Sequence, residues 1–154
     1  MTVGRATIRA AVDFGLDRFV AAQEHVYSQV VLELQKGAKT GHWMWFVFPQ
    51  IRGLGQSETA RFYALSSLEE ARAYLEHPIL GARLRECTGL VNGISGKSLQ
   101  QIFGHVDALK FRSSMTLFCQ ATPDNEPFQR ALDKYCDGRF DELTLNLLHH
   151  LGVS

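Results

Sequence analysis

Cysteine is scarce in this chain and shows no pairing pattern: Cys87, Cys119 and Cys136 are an odd three, and no two stand in a C-x-x-C spacing. That excludes a disulfide framework and a cysteine zinc knuckle. An excess of charge of one sign is also lacking. Lysine plus arginine number 16 and aspartate plus glutamate number 16, so the chain has no basic surplus with which to hold a phosphate backbone, and nucleic acid is disfavoured as a bulk electrostatic partner. No apolar run approaches the length of about 20 residues that a membrane-spanning helix needs. The longest run lies around Trp43 to Phe48, so no membrane partner is expected. Residues Met1 to Phe14 carry Arg5 and Arg9 but no apolar stretch long enough for a signal peptide. They are expected to form a short, loosely ordered arm, ahead of one domain over residues 15–154, in a cytoplasmic protein.

What is present suits an ordinary globular domain. The 154 residues are 45% apolar and 21% charged, which argues against disorder. A chain of this length buries roughly 68–70% of its unfolded surface, enough for a core without disulfides or metals. Phe19, Val20, Val26, Tyr27, Val30, Val31 and Leu34 recur at helical spacing, with Asp17 as cap and Gly37 as stop, which predicts one helix to about Gln35. Gln23 falls inside this stripe, either as a core amide with its hydrogen bonds made or as an amide facing a pocket. Trp43 to Phe48 is too uniformly apolar to show a period, and suits a buried strand or a buried helical turn ended by Pro49. Ser57 is a candidate N-cap, and Ser66 with Glu69 a capping box. Pro78 suits the first turn of a helix ended by Gly93. Ser98 opens a short piece that stops at Gly104. Asp107 caps a helix to about Ala121, Phe128 to Tyr135 mark another, and Asp141 caps the last. The expectation is an all-α, single multihelical domain of six or seven helices with at most one short strand. The cysteines fall on apolar faces and are expected to be structural thiols.

Most catalytic and cofactor motifs fail. Gly96-Lys97-Ser98 resembles the end of a phosphate-binding loop, but the glycine required five residues before Gly96 is Val91. The six histidines form no H-x-x-x-H pair, and the adjacent His149 and His150 point about 100° apart on a helix. No G-x-S-x-G elbow occurs. No metal site and no cofactor is expected.

A two-part constellation survives. The first part is His42-Trp43-Met44-Trp45 with Phe48-Pro49-Gln50. It holds both tryptophans of the chain, and forms either an aromatic wall with polar tips, able to stack a flat ligand, or a core hub. The second is Asp107, Lys110 and Ser114, which at i, i+3 and i+7 share a helix face. They either grip a polar ligand with the carboxylate poised as an acid/base group, or are an N-cap with a surface ion pair.

These segments also carry a resemblance. HWMWFVFPQ (His42 to Gln50), GLGQS (Gly53 to Ser57), YLEHPILGARL (Tyr74 to Leu84) and FGHVDALKFRSSMTLF (Phe103 to Phe118) resemble the uncharacterised bacterial family called domain of unknown function 1810, nearly end to end from Phe14. Its members are often labelled calpastatin-like, but calpastatin is a disordered inhibitor and this composition is that of a compact chain. The resemblance implies a mainly helical fold and no established activity. A more distant similarity of layout, a helix with Phe103-Gly104 and a following Asp107, is to the helical family that handles ADP-ribose derivatives and cleaves N-glycosidic bonds; it carries over no residue roles.

The expected function is a small-molecule site for a nucleotide or ADP-ribose-like compound between the two segments. Asp107 would serve N-glycosidic hydrolysis as acid/base. Gln23, His42, Trp43, Trp45, Gln50, Lys110 and Ser114 would bind, with an indole stacking the base. The alternative is a non-enzymatic ligand-sensing or protein-interaction module.

Overall fold

The computed structural model describes residues 13–150. The arm expected over residues 1–14 therefore lies almost wholly outside the described residues. Ten helices follow in order: α1 Asp17–Glu24, α2 Tyr27–Lys36, α3 Met44–Val47, α4 Glu58–Phe62, α5 Leu68–Glu76, α6 Leu80–Asn92, α7 Leu99–Phe103, α8 His105–Ala121, α9 Glu126–Cys136 and α10 Glu142–His150. Their ends follow local chemistry. Gly37 leaves α2 in the left-handed conformation at φ 73°, where only glycine is free of strain. Ser57 accepts the Ala60 amide, and Ser98 forms a capping box with Gln101. Asp141 accepts the Thr144 amide and caps α10.

The longest helix, α8, is the axis of the molecule. Ten of its residues are buried, on more than one side, as befits a helix surrounded by others. It packs against α9, α5, α7, α10 and α3. Phe48, Phe103 and Phe111 meet at ring distances of 5.0–6.1 Å, and Phe118 lies between Tyr74 and Phe128. The cysteines are free thiols. Burial pushes the Cys87 and Cys119 thiols up to about 12, which holds them protonated and unreactive. No helix among the described residues is long and apolar enough to cross a membrane.

Several expectations need correction. Among the described residues there are ten helices rather than six or seven, and no strand, only a single parallel bridge between Ile51 and Leu65. Of the two forms open to Trp43 to Phe48, the helical turn is the one present, as α3 over Met44–Val47. The helix expected from Asp17 to Gln35 breaks at His25-Val26, because its halves bury against different partners: α1 packs on α3 and α2 on α6. Glycine and proline are absent at the break, so the local pattern does not announce it. The cap of α5 is Ser67 with Glu70, one residue later than expected. The earlier serine, Ser66, gives its amide and hydroxyl to Glu70 Oε1 at 2.7 Å each. Asp107 is not the cap of α8; Gly104 holds that position and Asp107 sits in the first turn.

Close approach at the α5–α6 corner imposes one further requirement. A Cβ on Gly81 would lie 2.0 Å from the Leu75 carbonyl oxygen. Gly81→Ala is therefore expected to lower stability by about 2 kcal/mol through overpacking against backbone, read as a lower urea midpoint at unchanged m-value.

Candidate functional site

The first half of α8, the single turn α3, the loop at 52–57 and the start of α10 enclose a solvent-open cleft of about 540 Å³, within the usual range for small-molecule sites. Val106, Leu109, Lys110 and Ser113 line it from α8. Their spacing of i, i+3, i+4 and i+7 puts them on one face. Trp45, Gln50, Leu54, Gln56 and Ser57 form the opposite side, with Asp141 and Leu143 at the α10 end. Three apolar side chains at its edge are unusually open to solvent: Val106 is 61%, Leu109 53% and Leu143 63% exposed.

The expected site residues separate into two groups. Trp45, Gln50 and Lys110 line the cleft together. The Lys110 ammonium lies 4.1 Å from the centre of the Trp45 ring, an attractive cation–π contact. The others point elsewhere. Gln23 is a core amide with its hydrogen bonds made: it donates to the Phe46 carbonyl (2.7 Å) and Tyr74 hydroxyl (3.1 Å), and accepts from Arg83 (3.3 Å). Trp43 is 2% exposed and donates its indole N–H to Glu33 Oε1 at 2.9 Å. His42 is exposed and is not part of the cleft lining. Ser114 is fully buried, and its hydroxyl finds no hydrogen-bond partner among the described residues. Asp107 stands behind the lining, 2.7 Å from Lys39 Nζ and 3.5 Å from Lys110 Nζ.

The helix face of α8 that meets solvent is thus rotated from the expected one. The cleft residues centre roughly 100° round the helix from Asp107, and Lys110 is the residue common to both faces. Ser113, adjacent to Ser114 and one turn from Leu109, is the hydroxyl that reaches the cleft. Because the Ser114 hydroxyl has lost water without gaining a partner, Ser114→Ala is expected to stabilise the fold by about 1 kcal/mol and to leave ligand binding at the cleft unchanged. Paired melting and binding measurements check both parts.

Two charged residues, Glu33 and Lys39, support the site without lining it. Glu33 is 4% exposed, and four N–H groups donate to it: the Thr40 (2.8 Å) and Gly41 (3.0 Å) amides, the Trp43 indole (2.9 Å) and the Gln29 side chain (3.1 Å). Burial alone would raise its pKa, but the donors prevail and hold it down to about 2. Lys39 lies over the Trp43 ring at 5.1 Å and donates to the Gly41 carbonyl as well as pairing with Asp107. A chain of contacts therefore runs from the Glu33 carboxylate through Trp43, Lys39 and Asp107 to Lys110. Neither Glu33 nor Lys39 stands out locally. The one signal was a glutamate on the apolar side of a helix, three residues after Val30 and adjacent to Leu34.

Lys39, Asp107 and Lys110 together carry one net positive charge, and Asp107 is closer to Lys39. Lys110 is thus the less closely paired of the two lysines. Asp141, at the other end, has no cation within 4.0 Å among the described residues. No group of three or more histidine, cysteine or acidic side chains among the described residues is arranged to hold a metal.

Fold and cleft define an all-helical protein whose central helix offers half its length to an open pocket of mixed polarity. The chain belongs to the family described as "Protein of unknown function (DUF1810)", whose model matches residues 13–148. It is similar to the conserved hypothetical protein Rv1873 from Mycobacterium tuberculosis, whose crystal structure is 58% identical with a TM-score of 0.88, over 88% of this chain and 97% of that one. No curated protein matches it.

Proposed function

We propose that the cleft binds a small molecule with a flat ring and an anionic group, of the nucleotide or ADP-ribose type. The observation that carries this reading is the Trp45–Lys110 pair at the cleft edge. An indole offers a stacking surface, and a cation whose nearest carboxylate belongs more closely to another lysine is free to meet a phosphate. A cytoplasmic setting fits this reading, since the cysteines are unpaired thiols.

Binding is better supported than turnover. N-glycosidic hydrolysis in this cleft would draw its proton transfer from Asp107 or Asp141. Asp107 is engaged by Lys39 and stands outside the lining, which favours a role in holding Lys110. Asp107→Asn with retained turnover on any substrate would remove it as an acid/base group.

The test uses the two indoles as separate reporters. Nucleotides and NAD-derived metabolites are screened by thermal shift, and binders are followed by tryptophan fluorescence. Quenching is expected to survive Trp43→Phe and to vanish in Trp45→Phe, because only Trp45 meets the cleft. Quenching that persists without Trp45 places the ligand elsewhere. A second reading, docking of an apolar protein segment, draws on the exposed Val106, Leu109 and Leu143. It takes the lead if no small molecule shifts the melting temperature.

A further inference from the structure

The Asp141 carboxylate is divided between two tasks by its own geometry. Oδ2 accepts from the Thr144 amide (3.1 Å) and the Thr144 hydroxyl (2.6 Å), and lies 3.1 Å from the Ser113 hydroxyl, whose single proton it shares with the Leu109 carbonyl at 3.1 Å. That oxygen caps α10 and ties it to α8. The residue's own amide donates to Thr116 Oγ1 at 2.8 Å, so the group is held from both its backbone and its side chain. Oδ1 accepts no hydrogen bond from a described residue, and it is not sealed from solvent. Asp141 lines the cleft beside Ser113. The cap accounts for one oxygen and leaves the other without a donor among the described residues, on a side chain that lines the cleft.

Its position relative to Lys110 sets the scale. Ser113 follows Lys110 by three residues on one helix face, a spacing of about 5–6 Å between Cβ atoms, and the Ser113 hydroxyl touches Asp141 Oδ2. The lysine and the serine that touches the carboxylate are therefore rooted about one helical turn apart on α8. In a nucleoside 5′-phosphate the phosphate hangs from the exocyclic C5′ and the two hydroxyls sit on the ring, so a single sugar presents an anion on one side and a diol on the other. A carboxylate with no cation of its own is a strong acceptor for neutral O–H donors. The same pairing of an acidic side chain with ribose hydroxyls serves dinucleotide-binding folds of unrelated architecture.

We propose that Asp141 is the second ligand-binding pole of the cleft and that its Oδ1 accepts the hydroxyls of a ribose, so the ligand is a nucleotide with a free vicinal diol. This rests on the nucleotide-type reading above and adds to it the sugar and the residue that selects it. Lys110 takes the phosphate, Trp45 the ring, and Asp141 the diol.

The experiment compares adenosine 5′-monophosphate with its 2′,3′-dideoxy counterpart on the wild-type chain and on Asp141→Asn. Asparagine caps a helix about as well as aspartate, so this variant is expected to melt close to the wild type; a melting check precedes the titrations. On the wild type the diol-bearing nucleotide should bind about tenfold tighter or more, the scale of one charge-assisted hydrogen bond. In Asp141→Asn that advantage should disappear, while the dideoxy compound binds no more weakly than before, since taking a carboxylate out of the cleft does not weaken an anion. Equal binding of both compounds by the wild type overturns the role of Asp141 and leaves the nucleotide reading standing. An equal loss for both compounds in Asp141→Asn also overturns it, since the residue then shapes the cleft rather than reading the diol. Binding of neither compound overturns the nucleotide reading and this assignment together.

Discussion

Glu33→Ala is expected to be the most damaging substitution in the chain, costing about 4 kcal/mol. Alanine would leave the Thr40 and Gly41 amides, the Trp43 indole N–H and the Gln29 amide without their acceptor. The indole N–H is buried and costs about 1–3 kcal/mol when stranded; the other three donors are partly buried, so water meets them in part and each adds less. Glu33→Gln keeps an acceptor oxygen and should cost less, about 1–2 kcal/mol. Acid provides an independent check. The pKa of Glu33 is depressed from about 4.5 to about 2 in the folded chain, so the unfolded chain binds the proton more readily. The stability that Glu33 contributes is fully present above about pH 4.5 and is lost as pH falls towards 2. Denaturant midpoints measured from pH 6 to pH 2 should therefore fall in the wild type and fall less steeply in Glu33→Gln. Equal slopes would show that other carboxylates govern acid unfolding.

The second large effect concerns charge at the cleft, and its signs are distinctive. Lys110→Ala should weaken an anionic ligand by about tenfold or more, the scale of a charge-assisted hydrogen bond. Asp107→Asn should act in the opposite direction. It removes the carboxylate 3.5 Å from Lys110 and leaves that cation unopposed, so anion binding should tighten. Lys39→Met should weaken binding although Lys39 is absent from the cleft lining, because Asp107 would then become the counterion of Lys110 alone. If Asp107 were an acid/base group, Asp107→Asn would abolish turnover without tightening binding. Affinities at low and moderate salt for the three variants separate these outcomes, since charge effects at a half-open site shrink as salt rises.

The helical class was legible because its signals are local. Gly37, Ser57, Ser98, Gly104 and Asp141 act at helix ends within a few residues of where they stand. The break at His25-Val26 was not legible, because it arises from α1 and α2 packing on partners far along the chain. Candidate site residues were found to the accuracy of a helix face and no better. Lys110, Trp45 and Gln50 meet at one cleft, whereas Ser114 and Asp107 lie round the helix from it, and a 100° step between neighbours is enough to move a side chain from solvent to core. For Asp141 the sequence revealed the cap alone, since an N-cap motif accounts for the residue before its second oxygen is considered. Lys39 and Glu33 carried no motif at all, because their importance lies in a pairing across separate segments.

Connecting segments are the usual places for a chain to gain or lose residues without harm. The segment from Lys39 to Trp43 is an exception. Its amides are held by Glu33 from α2, its first N–H donates to the Ile102 carbonyl at 2.8 Å, and its lysine reaches Asp107 on α8. The anchors lie within five residues and leave no slack, so one added residue would carry Trp43 away from Glu33 or Lys39 away from Asp107. This stretch ties the spacing of three helices to a fixed residue count.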